Sequence, residues 1–340
     1  MMDGFGRDRR DLLKLLGVAG GAAVIGGVRI PLGFAEDVYP ADKITWICYV
    51  KAGGGWDVIA RSIVPYLGKY LKEVSKGAKG GEVTVKNVPE AGGRRAYSNI
   101  YRAKPDGYTI GDFNAAFVTE EIISTDKLDF DYNQFTYLVR SGVSTRIILT
   151  HKNGPKSWDE MMKAGKEKEL KWAASNFGRG HHVACILVKD TAKVPARLIN
   201  FPGAAENINA LIRKDVDLAI ASEEGVRGII SAGEARVLAV LSDTSQYPGA
   251  PSIAQLGFPE LADPMKLHRF VIGPPKLPKR IVDVLADAFK RVLSDKEFIA
   301  HAAKIEFDID PVYGDDAERV AKKFFKYYEE KTPILKKYLQ

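Results

Sequence analysis

Ser175, His181, His182, Cys185, Glu223 and Glu224 are the residues of this 340-residue chain whose types and spacing invite a catalytic reading. A zinc site built on His181, His182 and Cys185 needs a further ligand in tetrahedral geometry, and no carboxylate or thiol stands at a matching spacing. Ser175 and Ser222 lack the Gly-x-Ser-x-Gly elbow that exposes a nucleophile. Adjacent carboxylates rarely face the same way, so of Glu223 and Glu224 one is expected in a cleft and the other in solvent. No catalytic constellation is left. The expectation is a binding protein, not an enzyme, with no cofactor and no metal. The recurring chemistry lies elsewhere, in small-residue loops. Gly53-Gly54-Gly55 follows an apolar run and precedes an amphipathic segment. A strand, a glycine turn and a helix start present free backbone N–H groups, and the helix dipole adds about half a positive charge. Such a place suits a small anion. Phosphate loops end in Gly-Lys-Ser or Gly-Lys-Thr, whereas this one ends in Gly55-Trp56-Asp57. Dinucleotide loops space their glycines one and then two residues apart, and these are contiguous.

The elements that position these loops repeat. Residues 44–50 form a nearly unbroken apolar run, expected as a strand covered on both faces. Asp57 opens a helix carrying Val58, Ile59, Ile63, Leu67 and Leu71, with Pro65 expected to bend it. Strand, small-residue turn and helix recur twice more, at residues 83–88 with Gly92-Gly93-Arg94 and at 108–113 with Asn114-Ala115-Ala116. Residues 135–150 are long and extended, expected as the first crossing between lobes, near Gly142. Ser157 with Glu160 forms a capping box. Beyond it three further loops follow strands, at residues 175–180, 202–205 and 222–225. A second crossing is expected between Thr244 and Phe270, with the C-terminal helices packing on the first lobe. In open α/β sheets ligands bind where such loops gather, at the carboxyl ends of the strands. The expected ligand-facing residues are Gly54, Gly55, Trp56, Asp57, Gly92, Gly93, Arg94, Asn114, Ala115 and Ala116 from the first lobe. From the second they are Ser175, Asn176, Arg179, His182, Gly203, Ala204 and Glu223. Arg179 suits a second acidic group, held bidentately.

Residues 1–35 read as an export signal. Arg9-Arg10 precedes a Gly/Ala-rich apolar run, and Gly33-Phe34-Ala35 offers a cleavage site. The apolar run is too short to span a membrane comfortably. Removing it takes away Arg7, Arg9, Arg10, Lys14 and Arg29 against Asp3, Asp8 and Asp11, so the net charge falls from +7 to +5. That mild, dispersed charge does not argue for nucleic acid. The two cysteines, Cys48 and Cys185, make no disulfide framework and are expected as packed thiols. The remaining chain is too long for one compact core. The expected division is residues 36–143 plus about 265–340 as lobe I and 144–264 as lobe II.

In order and spacing, the motifs resemble one family. They are Tyr39-Pro40, Gly53 to Asp57, Asn87-Val88-Pro89 before Ala91-Gly92-Gly93, Pro105 to Thr109, Ser175 to His182, and Gly203-Ala204-Ala205. Asp217-Leu218, Ala232-Gly233 with Arg236 to Val240, and Ala250 to Ile253 complete the set. The chain is similar to the substrate-binding receptors of tripartite tricarboxylate transporters, the Bug family. The resemblance implies a type II-like periplasmic binding protein fold with two α/β lobes. Each lobe is then a mostly parallel sheet with helices on both faces. It further implies a monomer that closes on a small carboxylate and delivers it to membrane transporter components. Two departures stand out. Trp56 replaces a common Thr or Ser, and Phe201-Pro202-Gly203 replaces a common Tyr-Arg-Gly. Both add apolar bulk, which points to an aromatic or long aliphatic acid.

Overall fold

The computed structural model describes residues 24–25, 28–29, 39–75, 79–119, 127–175, 178 and 180–339. The chain divides into a unit of residues 1–38 and a compact unit of residues 39–340. In the first, Val24–Ile25 pairs antiparallel with Val28–Arg29. The rest of the expected export segment, like Asn176 and Arg179, lies outside the described residues. No helix among the described residues is long and apolar enough to cross a membrane.

The compact unit is built on two mixed sheets. In the first half, strand β1 (Ile44–Cys48) leads into helix α1 (Gly55–Val74). Strand β2 (Val83–Asn87) leads through a 3₁₀ turn into α2 (Arg94–Tyr101), and β3 (Thr109–Asn114) into the 3₁₀ turn Ala115–Val118. Ala60, Ile63, Leu67 and Leu71 recur along one face of α1 and are fully buried. Each large aliphatic side chain among them contributes roughly 1.5–3 kcal/mol. Helix α1 runs through Pro65 because that residue lies on its exposed face, where water can reach the carbonyl that loses its partner.

Strand β4 (Thr136–Ser144) closes the first half, and β5 (Arg146–His151) opens the second. The break between the two strands falls at Thr145, inside the expected stretch 135–150. Gly142 lies inside β4, where a Cβ would come within 2.2 Å of the Asp308 carbonyl. This glycine permits close approach of a neighbouring strand and is not a hinge. The second half runs α3 (Trp158–Glu167), β6 (Leu170–Ser175), α4 (Gly180–Ala192), β7 (Ala196–Phe201), α5 (Ala204–Ile212), β8 (Leu218–Ser222), α6 (Arg227–Ser231) and β9 (Ala235–Leu241). The chain then returns through β10 (Leu267–Gly273), α7 (Lys279–Ser294), α8 (Lys296–Lys304), β11 (Asp308–Tyr313), α9 (Gly314–Glu330) and α10 (Thr332–Leu339).

The first sheet has the order β11-β4-β10-β3-β1-β2 and the second β9-β5-β8-β6-β7. In each, three strands at one side run parallel: β3, β1 and β2 in the first, β8, β6 and β7 in the second. The strands that cross between the sheets, β10 and β5, insert antiparallel. Each sheet is thus half parallel and half antiparallel, because a chain that returns from the other lobe enters from the opposite edge. The final helix α10 packs on α4 of the second half, with Lys337 Nζ and Tyr338 Oη both 3.2 Å from the Asp190 carboxylate. It does not pack on the first lobe alone.

Candidate ligand-binding site

Three loops at the carboxyl edge of the first sheet come together as the turns predict, but their polar groups are not all open to a ligand. In the first loop Asp57 is buried and spends its carboxylate on the protein. It accepts from the Gly53 N–H at 2.9 Å, from Arg61 Nε at 2.9 Å and from Asn87 Nδ2 at 2.7 Å. Burial works to raise its pKa, yet Arg61, the Gly53 N–H and Asn87 together hold it below the usual carboxylate value. Asp57 therefore ties the glycine loop to β2. Gly53 adopts φ +80°, which glycine takes without strain. Gly54 caps α1 without any side-chain cap, so the first N–H groups of that helix still point out of its end.

In the second loop Ala91, Gly92 and Gly93 all have positive φ. A Cβ on Gly93 would meet the Tyr49 ring at 3.0 Å, so glycine is required there. In the third loop Asn114 Oδ1 accepts from the Ala116 N–H at 3.0 Å, which withdraws that donor from any ligand. Ala115 and Ala116 are buried.

Trp56 is neither a surface residue nor an open wall. It is buried beside Cys48 and Leu267, its ring 5.2 Å from that of Tyr49, with the Arg269 guanidinium 4.9 Å above it. Arg269 comes from β10 and lies opposite Asn114 in the sheet register. It is 3% exposed. Its Nε and Nη2 donate to Ser144 Oγ at 3.3 and 2.9 Å, and Nη2 reaches Glu224 Oε1 of the second half at 3.1 Å. Its Nη1 is buried with no hydrogen-bond partner.

The second half supplies another buried cation. Arg146, the first residue of β5, is 2% exposed. Its Nη1 donates to the Met265 carbonyl, and its Nε has no partner. Burial pulls its pKa below the usual value, while Tyr328, Cys185, Glu224 and Tyr49 pull the other way. Arg146 Nη2 would lie 3.0 Å from a Cβ on Gly180, and Asn114 Nδ2 3.6 Å from it, so the two halves meet here. Thr119 Oγ1 lies 2.7 Å from the Ala116 carbonyl and 2.9 Å from that of Gly178, and its single proton serves one at a time.

Several expected site residues serve the scaffold. Glu223 is buried, and its partner Arg227 also reaches Glu306 of the first half at 3.8 Å. It accepts from Arg227 Nε at 3.3 Å, from Tyr247 Oη at 2.9 Å and from Gln246 Nε2, and its own N–H donates to the Thr145 carbonyl. The next residue, Glu224, reaches Arg269 of the first half. His182 is buried, its Nδ1 accepting from the Gly178 N–H at 2.8 Å, and burial pulls its pKa down to about 4. That contact ties His182 to the loop after β6. Ser175 Oγ lies 3.0 Å from His181 Nδ1. Burial first, and Arg146 second, pull His181 down to about 3. Gly203 caps α5, and Ala204 is exposed. Among the described residues no three His, Cys, Asp or Glu side chains gather as a metal requires.

Arg146, Arg269 and Tyr49 were not anticipated, and of the two glutamates the sequence singled out Glu223 as ligand-facing. A cation inside a strand that otherwise reads apolar is the signal that could have found the arginines, since arginine is almost never fully buried unless paired.

A sequence model described as TctC, the tripartite tricarboxylate transporter family receptor, matches residues 70–338. BugT of Bordetella pertussis is 25% identical over 258 residues, spanning 74% of this chain and 76% of BugT. A Rhodopseudomonas palustris protein solved with adipate superposes with a TM-score of 0.73 at 20% identity, over 87% of this chain and 98% of its own. MatC of the same organism, solved with bound malate, gives 0.66 at 19% identity, over 89% of this chain and 100% of MatC. The structural likenesses establish a shared two-lobed α/β fold, and the match over most of the sequence establishes the family. The chain belongs to the tripartite tricarboxylate transporter family receptors.

Proposed function

We propose that this protein is a periplasmic receptor that captures a small carboxylate between its two lobes and delivers it to the membrane components of a tripartite tricarboxylate transporter. The observation that carries the reading is the pair of buried arginines at the seam, each with an unspent guanidinium nitrogen. A buried cation without full compensation is costly, and an incoming anion removes that cost. The uncapped start of α1 at Gly54 and Gly55 adds backbone donors of the same sign. The relatives solved with adipate and malate hold acids of this class. The lobes proposed to close on the ligand are residues 36–143 plus about 265–340 and residues 144–264, with Thr145 as one hinge point. Arg179 remains a proposed contact for a second acidic group. Trp56, stacked under Arg269, supports the anchor.

A thermal-shift screen of the purified chain against aliphatic, aromatic and dicarboxylic acids, each paired with its amide, tests the reading. An acid at about one hundred times its Kd should raise Tm by roughly 5–10 °C. Its amide should not. Equal shifts from acid and amide, or no shift from any acid, would contradict a carboxylate receptor.

A further inference from the structure

Arg269 is buried and held by three neighbours. Trp56 lies under its face, Ser144 takes two of its donors, and Glu224 reaches it from the other lobe through a single nitrogen, Nη2. The pairing is one-pronged, since Nη1 remains buried with no partner. A guanidinium binds a carboxylate best through two parallel N–H donors, and charge-assisted bonds of this kind are roughly twice as strong as neutral ones. Glu224 does not achieve that geometry from its place in the turn after β8. Its side chain is 21% exposed while that of Arg269 is 4% exposed, so the acid lies nearer the solvent and the cation lies deeper. A free carboxylate entering the seam meets no such tether and has access to both Nη1 and Nη2.

We propose that Glu224 is an internal stand-in for the ligand carboxylate, and that an acid binds by replacing Glu224 on Arg269, which makes Arg269 the residue that selects a carboxylate. This rests on the reading of the protein as a carboxylate receptor. Selection follows from the exchange. A neutral ligand offers Arg269 nothing to replace a carboxylate with and leaves the Glu224 pair intact. The released Glu224 moves toward solvent, where its charge is hydrated at little cost.

Chemical rescue tests the exchange without knowledge of the natural ligand. Glu224→Ala vacates the position facing Arg269, and formate is the smallest carboxylate that can fill it. Sodium formate at about 50 mM, compared with sodium chloride at the same ionic strength, should raise the Tm of Glu224→Ala by roughly 2–4 °C more than that of the unaltered protein. The double variant Glu224→Ala/Arg269→Gln should lose that formate-specific gain. A gain no larger than in the unaltered protein, or one retained in the double variant, would overturn the proposal. Glu224→Ser also removes the carboxylate and leaves room for formate, and it repeats the test with the same outcomes if the alanine variant does not fold. Failure here can be told from failure of the receptor reading. A carboxylate that stabilises the unaltered protein without formate rescue sinks only the exchange. Rescue without a response to any acid in the screen sinks the receptor reading and the exchange with it, whereas it leaves Arg269 as an anion site.

Discussion

Arg146 and Arg269 occupy matching places at the seam between the sheets, each near the start of a strand that inserts antiparallel, yet their surroundings differ. Around Arg269 the chain gathers acceptors: Ser144, Glu224 and, deeper in the sheet, the Asp112 carboxyl on which Arg269 exerts a favourable pull. Around Arg146 it gathers a carbonyl and His181, kept neutral. One cation is compensated within the protein and the other largely is not. Compensation stabilises the ligand-free fold, whereas its lack leaves a site that an anion improves. At Arg269 the internal pair with Glu224 holds the lobes until an acid replaces it, and Arg146 adds positive charge to the same seam.

The largest expected effect separates the two arginines directly. Arg269→Met leaves Glu224 and Ser144 without their cation and should destabilise by about 2–3 kcal/mol in urea unfolding, below the range for a fully buried pair because Glu224 is partly exposed. Arg146→Met removes a cation with no carboxylate hydrogen-bonded to it, and should be neutral or stabilising by about 1 kcal/mol. Equal losses would break the comparison.

Acidity sharpens it next. His182 has its pKa lowered to about 4, so the stability tied to its neutral form is present above its unfolded value near 6.5 and is lost as pH falls toward 4. At pH 5 the loss is about 2 kcal/mol. His182→Asn keeps an acceptor for the Gly178 N–H and should flatten this limb of a Tm-versus-pH curve. Asp112 acts in the opposite sense. Burial pushes it up to about 7 against the pull of Cys48, Trp46 and Arg269, so its contribution is lost as pH rises from its ordinary value toward 7. The smallest effect belongs to Arg146→Met at its neighbour. The His181 pKa should move upward by NMR titration, since Arg146 is the second cause of its depression. An unmoved His181 would place the whole effect in burial.

The small-residue turns were legible because their signals are local. Gly53 to Gly55, Gly92-Gly93 and Asn114 each announce a turn by residue type alone. Tertiary reach was not legible. Arg146 begins RIILTH and Arg269 sits in LHRFVIG, strands whose apolar pattern says that they are buried but not what faces the cation. Glu223 and Glu224 differ by one residue in a turn, and sequence alone gives no means of saying which one turns outward. Gly142 served in the sequence only as a landmark for the crossing, and nothing local says that it admits Asp308 and Phe307 close beside β4. Helix α10 reached the second half through Asp190, a pairing of residues 147 and 148 positions apart that no local pattern encodes.

The most direct test of the account is a crystal structure of the full chain with an acid identified by the thermal-shift screen. The account predicts two carboxylate oxygens about 2.8 Å from Nη1 and Nη2 of Arg269, with Glu224 turned out of the seam. An acid bound while Arg269 and Glu224 remain paired at 3.1 Å, or one seated in the hollow lined by Lys152, Arg236 and Tyr247 at the edge of the second sheet, would contradict it.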